Sequence, residues 1–274
     1  MKLRSIFLAP SAVVMLSLFL LPLLIVAAYS FLTRGPYGGV LRPWTAESYV
    51  RIIDPLYLSI LWRSIWIAAV STAVCLVLAF PLALYIARAG DRKNLLLNLV
   101  MLPFWTSFLI RTYAWMFLLR DTGLVNSLLQ SLHIIREPLP LLFNTAAVIV
   151  GLVYGYLPFM VLPLYATLEK LDPALLDAAA DLGASPLVAV WQVVVPISQP
   201  GLIAGCLLVF IPCLGSYLTP DLMGGGKTVM IGNLVQNQFT TSRDWPFGAA
   251  ISLLLMGMVL LAMRVLGDKG EELL

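Results

Sequence analysis

Charge is scarce in this sequence. Only 11% of its 274 residues are Asp, Glu, Lys or Arg, against 61% hydrophobic ones. A soluble domain carries roughly 25% charged residues. So few charges cannot cover a water-facing surface of this size, which excludes a soluble enzyme, a secreted scaffold and a disordered tail. Histidine is rarer still: His133 stands alone, and a histidine-based metal centre is excluded with it. The three cysteines, Cys75, Cys206 and Cys213, form no CxxC pair and sit in apolar runs. There they act as small hydrophobes, and their odd number argues against a disulfide framework or a metal site. The net charge is only +3, and no basic run exceeds Arg92-Lys93, so nucleic acid is not an expected partner. No Ser/His/Asp, Cys/His or metal-ligand set shares one depth along the chain. No catalytic residue and no metal ligand are therefore assigned.

Long apolar runs are abundant. A membrane-crossing helix needs about 20 mostly apolar residues. Six stretches qualify: Ile6–Leu32, Leu58–Ala87, Leu95–Leu119, Phe143–Leu168, Ile197–Leu218 and Phe247–Leu266. The reading is an all-α polytopic membrane protein with six transmembrane helices. The first run starts like a signal peptide, after Lys2 and Arg4, but it is too long for one and shows no clear cleavage site past Pro22. It is read as a retained anchor. Lys2, Arg4 and the short basic loop Arg88, Arg92 and Lys93 favour both termini in the cytoplasm. The expected organisation is an anchor helix with a periplasmic loop over 1–57, a transmembrane domain over 58–267 and a cytoplasmic tail over 268–274. The part of that loop from Thr33 to Tyr57 is polar and carries the turn signals Gly35-Pro36 and Gly38-Gly39.

All fourteen acidic residues fall outside the six spans. Ion-coupled transporters usually keep a carboxylate or histidine at membrane depth, so energy for any transport is expected to come from elsewhere. Arg111 is the charge deepest inside a span, Arg63 and Arg264 lying within two turns of span ends. It either snorkels to the outer interface or faces a water-filled interior.

The segment 169–196, cytoplasmic on this topology, reads as two short helices. Asp172 suits an N-cap and Pro173 the first helical position. Gly183 suits a left-handed stop. Ser185-Pro186 repeats the cap-and-proline start, and Pro196 interrupts near the fifth span. Ala178, Ala179 and Ala180 permit close approach of another protein, and Asp177 and Asp181 share a face. A docking helix and a plain amphipathic linker on the membrane surface both fit this pattern.

The same stretch resembles the EAA motif of binding-protein-dependent ABC importer permeases. That motif runs Glu-Ala-Ala, three residues, Gly, nine residues, Ile-x-Leu-Pro. Here it is Asp177-Ala178-Ala179, three residues, Gly183, nine residues, Val193-Val194-Val195-Pro196. Asp replaces Glu, and Val replaces both Ile and Leu. The resemblance implies the type I ABC importer permease fold in a bacterial inner membrane. It also implies that this loop is a coupling helix, with Asp177, Ala178, Ala179, Gly183, Val193, Val195 and Pro196 docking on a cytoplasmic ATP-binding subunit. ATP and magnesium would then sit on that partner, with no cofactor on this chain. The other implied partners are membrane lipid, a second permease chain expected to differ from this one, and a periplasmic substrate-binding protein.

Beyond the loop, the chain is most similar to spermidine/putrescine permeases. This rests on the segments 102–115 and 151–165, on Asp221-Leu-Met-Gly-Gly-Gly226 and on Arg243-Asp-Trp-Pro-Phe-Gly248. The implied activity is polyamine import by alternating access. Relatives for opines, thiamine, phosphonates or ferric ions are the alternative, and a stand-alone channel or secondary transporter is a more distant one. A polyamine path calls for aromatic faces and some carboxylate. Trp105, Tyr113, Trp115, Tyr154, Tyr156, Tyr217 and Asp221 are its candidates, against the reading that such aromatics only anchor the membrane interface. Gly224-Gly225-Gly226-Lys227-Thr228 invites a phosphate-loop reading, but Asp221 stands where the first glycine is required.

Overall fold

The computed structural model describes residues 2–271, with side chains described for 13–264. Met1 and the last three residues of the expected 268–274 tail lie outside the described residues. The elements run α1 (Lys2–Ser30), β1 (Leu32–Arg34), β2 (Val40–Trp44), α2 (Glu47–Ile52), α3 (Pro55–Ala87), α4 (Lys93–Met101), α5 (Phe108–Leu119), α6 (Leu124–Ser131) and α7 (Thr145–Leu168). They continue as α8 (Ala174–Asp181), α9 (Pro186–Ala189), α10 (Val195–Ile197), α11 (Gln199–Leu214), α12 (Leu218–Gly224), α13 (Ile231–Thr240) and α14 (Trp245–Glu271).

Four unbroken helices are long and apolar enough to cross a membrane: Val13–Ser30, Pro55–Ala87, Thr145–Leu168 and Trp245–Arg264. They coincide with the first, second, fourth and sixth expected spans. The third and fifth differ. The run expected as one helix over Leu95–Leu119 is bent by 89° between Trp105 and Phe108, and a 72° bend between Ile197 and Gln199 falls at the entry to the fifth. At the first break Pro103 cannot donate to the preceding turn, and Thr106 becomes extended at φ −87°, ψ 151°. The Thr106 hydroxyl closes the broken end by donating to the Pro103 carbonyl at 2.7 Å. At the second, Ser198 leaves the helix and Pro200 starts α11. Counting each bent pair as one span gives six. The fifth run also ends early: α11 stops at Leu214, and Leu218–Gly224 is a separate helix.

The chain divides into two compact units, residues 1–60 with 234–260 and residues 61–233 with 261–274. In the first, the segment read as an irregular polar loop is ordered. β1 and β2 pair antiparallel, and the chain reverses where Gly38 and Gly39 take φ +91° and +80°. L-residues with a side chain rarely adopt that region. Asp244, with a side chain 2% exposed, ties this unit together. It accepts from Arg51 at 2.8 Å, and its other carboxylate oxygen accepts from the Phe247 amide at the start of α14. The Arg51 guanidinium also lies 4.1 Å from the centre of the Phe247 ring.

The second unit is built on α7. Its neighbours approach through small residues, as expected where lipid removes the usual hydrophobic drive between helices. A Cβ on Gly205 of α11 would strike Met160, and one on Gly151 of α7 would strike Met223 and Thr219 of α12. Pro158, Pro163 and Pro212 lie inside helices that remain unbroken.

Candidate functional site

The loop between α7 and α11 has the local geometry its residues dictate. Asp172 accepts from the Ala174 amide at 2.9 Å and opens α8. Gly183 takes φ +82° and closes it. Its amide donates to the Ala180 carbonyl at 2.9 Å and the Ala184 amide to the Ala179 carbonyl at 3.0 Å, the paired bonds of a Schellman stop. Ser185 caps α9 by accepting from the Val188 amide at 3.4 Å. Residues 190–194 then wind as a wider π-helical turn. Pro196 accounts for this, because it has no N–H to offer the Gln192 carbonyl and its ring crowds that position.

Asp177, Ala178 and Pro196 are exposed; Ala179, Val193 and Val195 are half-buried; Gly183 has open space around it. The π turn makes Val194, which is fully buried, the inward anchor between the two expected valines. Three residues outside the motif positions complete this surface: Leu182 is 90% exposed, Leu187 75% and Trp191 70%. Apolar side chains this exposed on one short loop form a surface suited to a protein partner. Leu182 and Leu187 were visible in sequence only as ordinary apolar residues beside Gly183 and Pro186. Trp191 owes its placement to the π turn. At the start of the loop Lys93 donates to Glu169 at 2.6 Å. That ammonium, helped by the Tyr165 hydroxyl, holds the Glu169 carboxyl below its ordinary range.

The candidate path residues divide into separate groups. Tyr156 joins an aromatic cluster with Phe108, at 6.3 Å between ring centres, and with Phe159, at 6.2 Å. Phe159 packs edge-on against Phe104 at 5.1 Å. Trp115 and Tyr154 form a second edge-to-face pair at 5.5 Å. Trp105 is 81% exposed. Tyr217 is also exposed, and its carbonyl accepts from Asn233 at 2.7 Å. Asp221 is exposed on α12.

Arg111 sits on the first turn of α5 and does not snorkel: it is 9% exposed. Its Nε and Nη1 are buried with no hydrogen-bond partner among the described residues. Its guanidinium carbon lies 5.2 Å from the Phe104 ring centre and 5.6 Å from that of Phe108.

Tyr113 lines a cavity of about 710 Å³ beside the C-terminal end of α5, with Phe117, Arg120, Asp121, Phe143 and Lys227. Sequence reasoning missed Phe117 and Asp121 here, because residues 113–143 give no periodic hint that they fold around one cavity. Lys227 belongs to this rim. The glycines before it end α12 in the left-handed region, at φ +58° and +75°. A phosphate loop requires a strand before it and a helix start after it; here the glycines follow a helix.

The sequence and fold also match known proteins. Residues 76–267 match the family Binding-protein-dependent transport system inner membrane component. The chain is 46% identical over 259 residues to the spermidine/putrescine transport system permease protein PotB of Escherichia coli K12, covering 92% of this chain and 94% of that one. It is 43% identical to PotB of Haemophilus influenzae over 85% of this chain and 82% of that one. Among solved structures, a bacterial ABC transporter importing the acidic polysaccharide alginate superposes with TM-score 0.73 at 14% identity, covering 98% of this chain and 96% of that one. An inward-facing MetNI methionine ABC transporter superposes with TM-score 0.57 at 19% identity, covering 81% and 99%. This polytopic helical chain therefore belongs to the inner membrane components of binding-protein-dependent transport systems.

Proposed function

We propose that this chain is a membrane-spanning permease subunit of an ATP-driven polyamine importer, with spermidine and putrescine as cargo. The observation that carries the reading is the 46% identity to a spermidine/putrescine permease over 92% of the chain. The subunit hydrolyses nothing itself; ATP and magnesium bind a separate cytoplasmic subunit. That subunit receives the 169–196 loop, with Asp177, Ala178, Ala179 and Gly183 at the contact and Val193, Val195 and Pro196 holding its return. The exposed Leu182, Leu187 and Trp191 support this role, since apolar side chains this exposed mark a surface that another molecule covers. A second permease chain and a periplasmic substrate-binding protein complete the assembly. Both termini face the cytoplasm, residues 1–57 add an anchor and an outer substructure to the transmembrane domain of 58–267, and 268–274 form the tail. The aromatic groups around Tyr156 and Trp115, with Trp105, Tyr113 and Tyr217, and Asp221 at the outer end, contribute this chain's half of the path.

The test is uptake of labelled spermidine and putrescine in cells lacking the gene. Complementation with the wild-type chain is expected to restore energy-dependent uptake of at least one of them. A chain that inserts and assembles with an ATPase but restores neither would overturn the polyamine assignment.

A further inference from the structure

Ring faces suited to an ammonium already hold a cation. The Arg111 guanidinium lies over Phe104 and Phe108, in the cluster that continues through Phe159 and Tyr156. It is held there without hydrogen bonds to Nε or Nη1 and without an ion pair among the described residues. It cannot shed its proton, because guanidinium stays charged in proteins. The chain's spans contain no acidic residue to neutralise it. A charge so placed at membrane depth is costly and marks function more often than packing. The seat is also reachable, since Phe104 remains 37% exposed.

We infer that Arg111 is a specificity-determining residue: a tethered cation on the Phe104 and Phe108 faces that an incoming ammonium has to displace. This rests on the polyamine reading. A solute with one ammonium has nothing else to hold it while it competes with a tethered guanidinium. A solute with several keeps its other ammoniums on neighbouring rings while one takes the seat, the usual advantage of linked binding groups. Arg111 thus holds back singly charged cations and admits polycations.

The experiment uses the assembled importer in sealed vesicles, without ATP or receptor. It follows escape of trapped labelled choline, a permanent single cation, and of trapped labelled ribose, which is neutral. Arg111→Met is expected to raise choline escape about tenfold, the scale of one cation–π contact, with ribose unchanged; Arg111→Lys is expected to stay near wild type. Choline escape unchanged in the methionine variant overturns the inference, as does an equal rise for choline and ribose, which would report loosened packing. If Arg111→Met does not assemble, Arg111→Gln removes the charge and keeps both ring faces. A selective rise in choline escape then supports the inference, and none overturns it. ATP-driven spermidine uptake by wild-type vesicles with receptor is measured alongside. Its absence would sink the polyamine reading without altering what the choline result says of the seat.

Discussion

Substitutions at Gly183 separate the conformation of the coupling loop from its chemistry. Gly183 sits at φ +82° with nothing within 4 Å of where a Cβ would be. Alanine there meets no neighbour, so its cost is backbone strain alone, about 1–2 kcal/mol for a side chain in the left-handed region. That is a factor of roughly 5–30 in the fraction of loops that keep the Schellman stop. Asparagine tolerates this region better and is expected to fall between glycine and alanine. Proline cannot reach a positive φ, and it removes the amide that bonds the Ala180 carbonyl. Gly183→Pro is therefore expected to abolish the stop and leave α7 and α11 in place. The assay is ATP-driven uptake by the reconstituted complex, with membrane insertion scored separately. The expected order is Gly, Asn, Ala, Pro, with insertion equal throughout. A proline variant that transports at the wild-type rate would refute the coupling role of the loop.

Other perturbations probe the surrounding structure. The Lys93–Glu169 pair lowers the Glu169 pKa, so its contribution is present above the ordinary carboxyl range and is lost as pH falls through the lowered folded value. Amide exchange at 169–172 is expected to quicken across that acidic window in wild type and to lose the pH step in Glu169→Gln. Gly205→Leu drives a side chain into Met160 and is expected to cost about 1–3 kcal/mol, read as a lower unfolding temperature in detergent. Asp244→Ala removes both the Arg51 partner and the acceptor at the start of α14. It is expected to cost about 1–3 kcal/mol, with faster proteolysis of the 32–52 segment as the readout. Lys227→Ala is expected to leave nucleotide binding by the whole complex unchanged; a loss would revive the phosphate-loop reading.

Local chemistry was legible where a residue acts on its own neighbours. Asp172, Gly183 and Ser185 each perform the capping job that their type and position suggest, so the two-helix form of the loop follows from sequence alone. The 89° bend was not legible, whereas Pro196 marked the break at the entry to the fifth run. Pro103 lies beside the 89° bend, yet Pro158, Pro163 and Pro212 sit inside unbroken helices, so proline marks a permitted break without choosing one. The hairpin of the first unit was also hidden. Its strands are three and five residues long, too short for alternation to show, and only Gly38-Gly39 hinted at the reversal. The aromatic candidates fall into separate ring groups and exposed single residues. Tyr156 and Trp115 found ring partners, whereas Trp105 and Tyr217 remain exposed.

The most direct test of the account places the purified importer, with receptor outside and ATP supplied at the nucleotide-binding side, in sealed vesicles containing no spermidine. The account predicts that labelled spermidine accumulates above its outside concentration only while ATP is hydrolysed. Equilibration without ATP would contradict it in favour of a channel. Accumulation driven by an ion gradient alone would contradict it in favour of a secondary transporter.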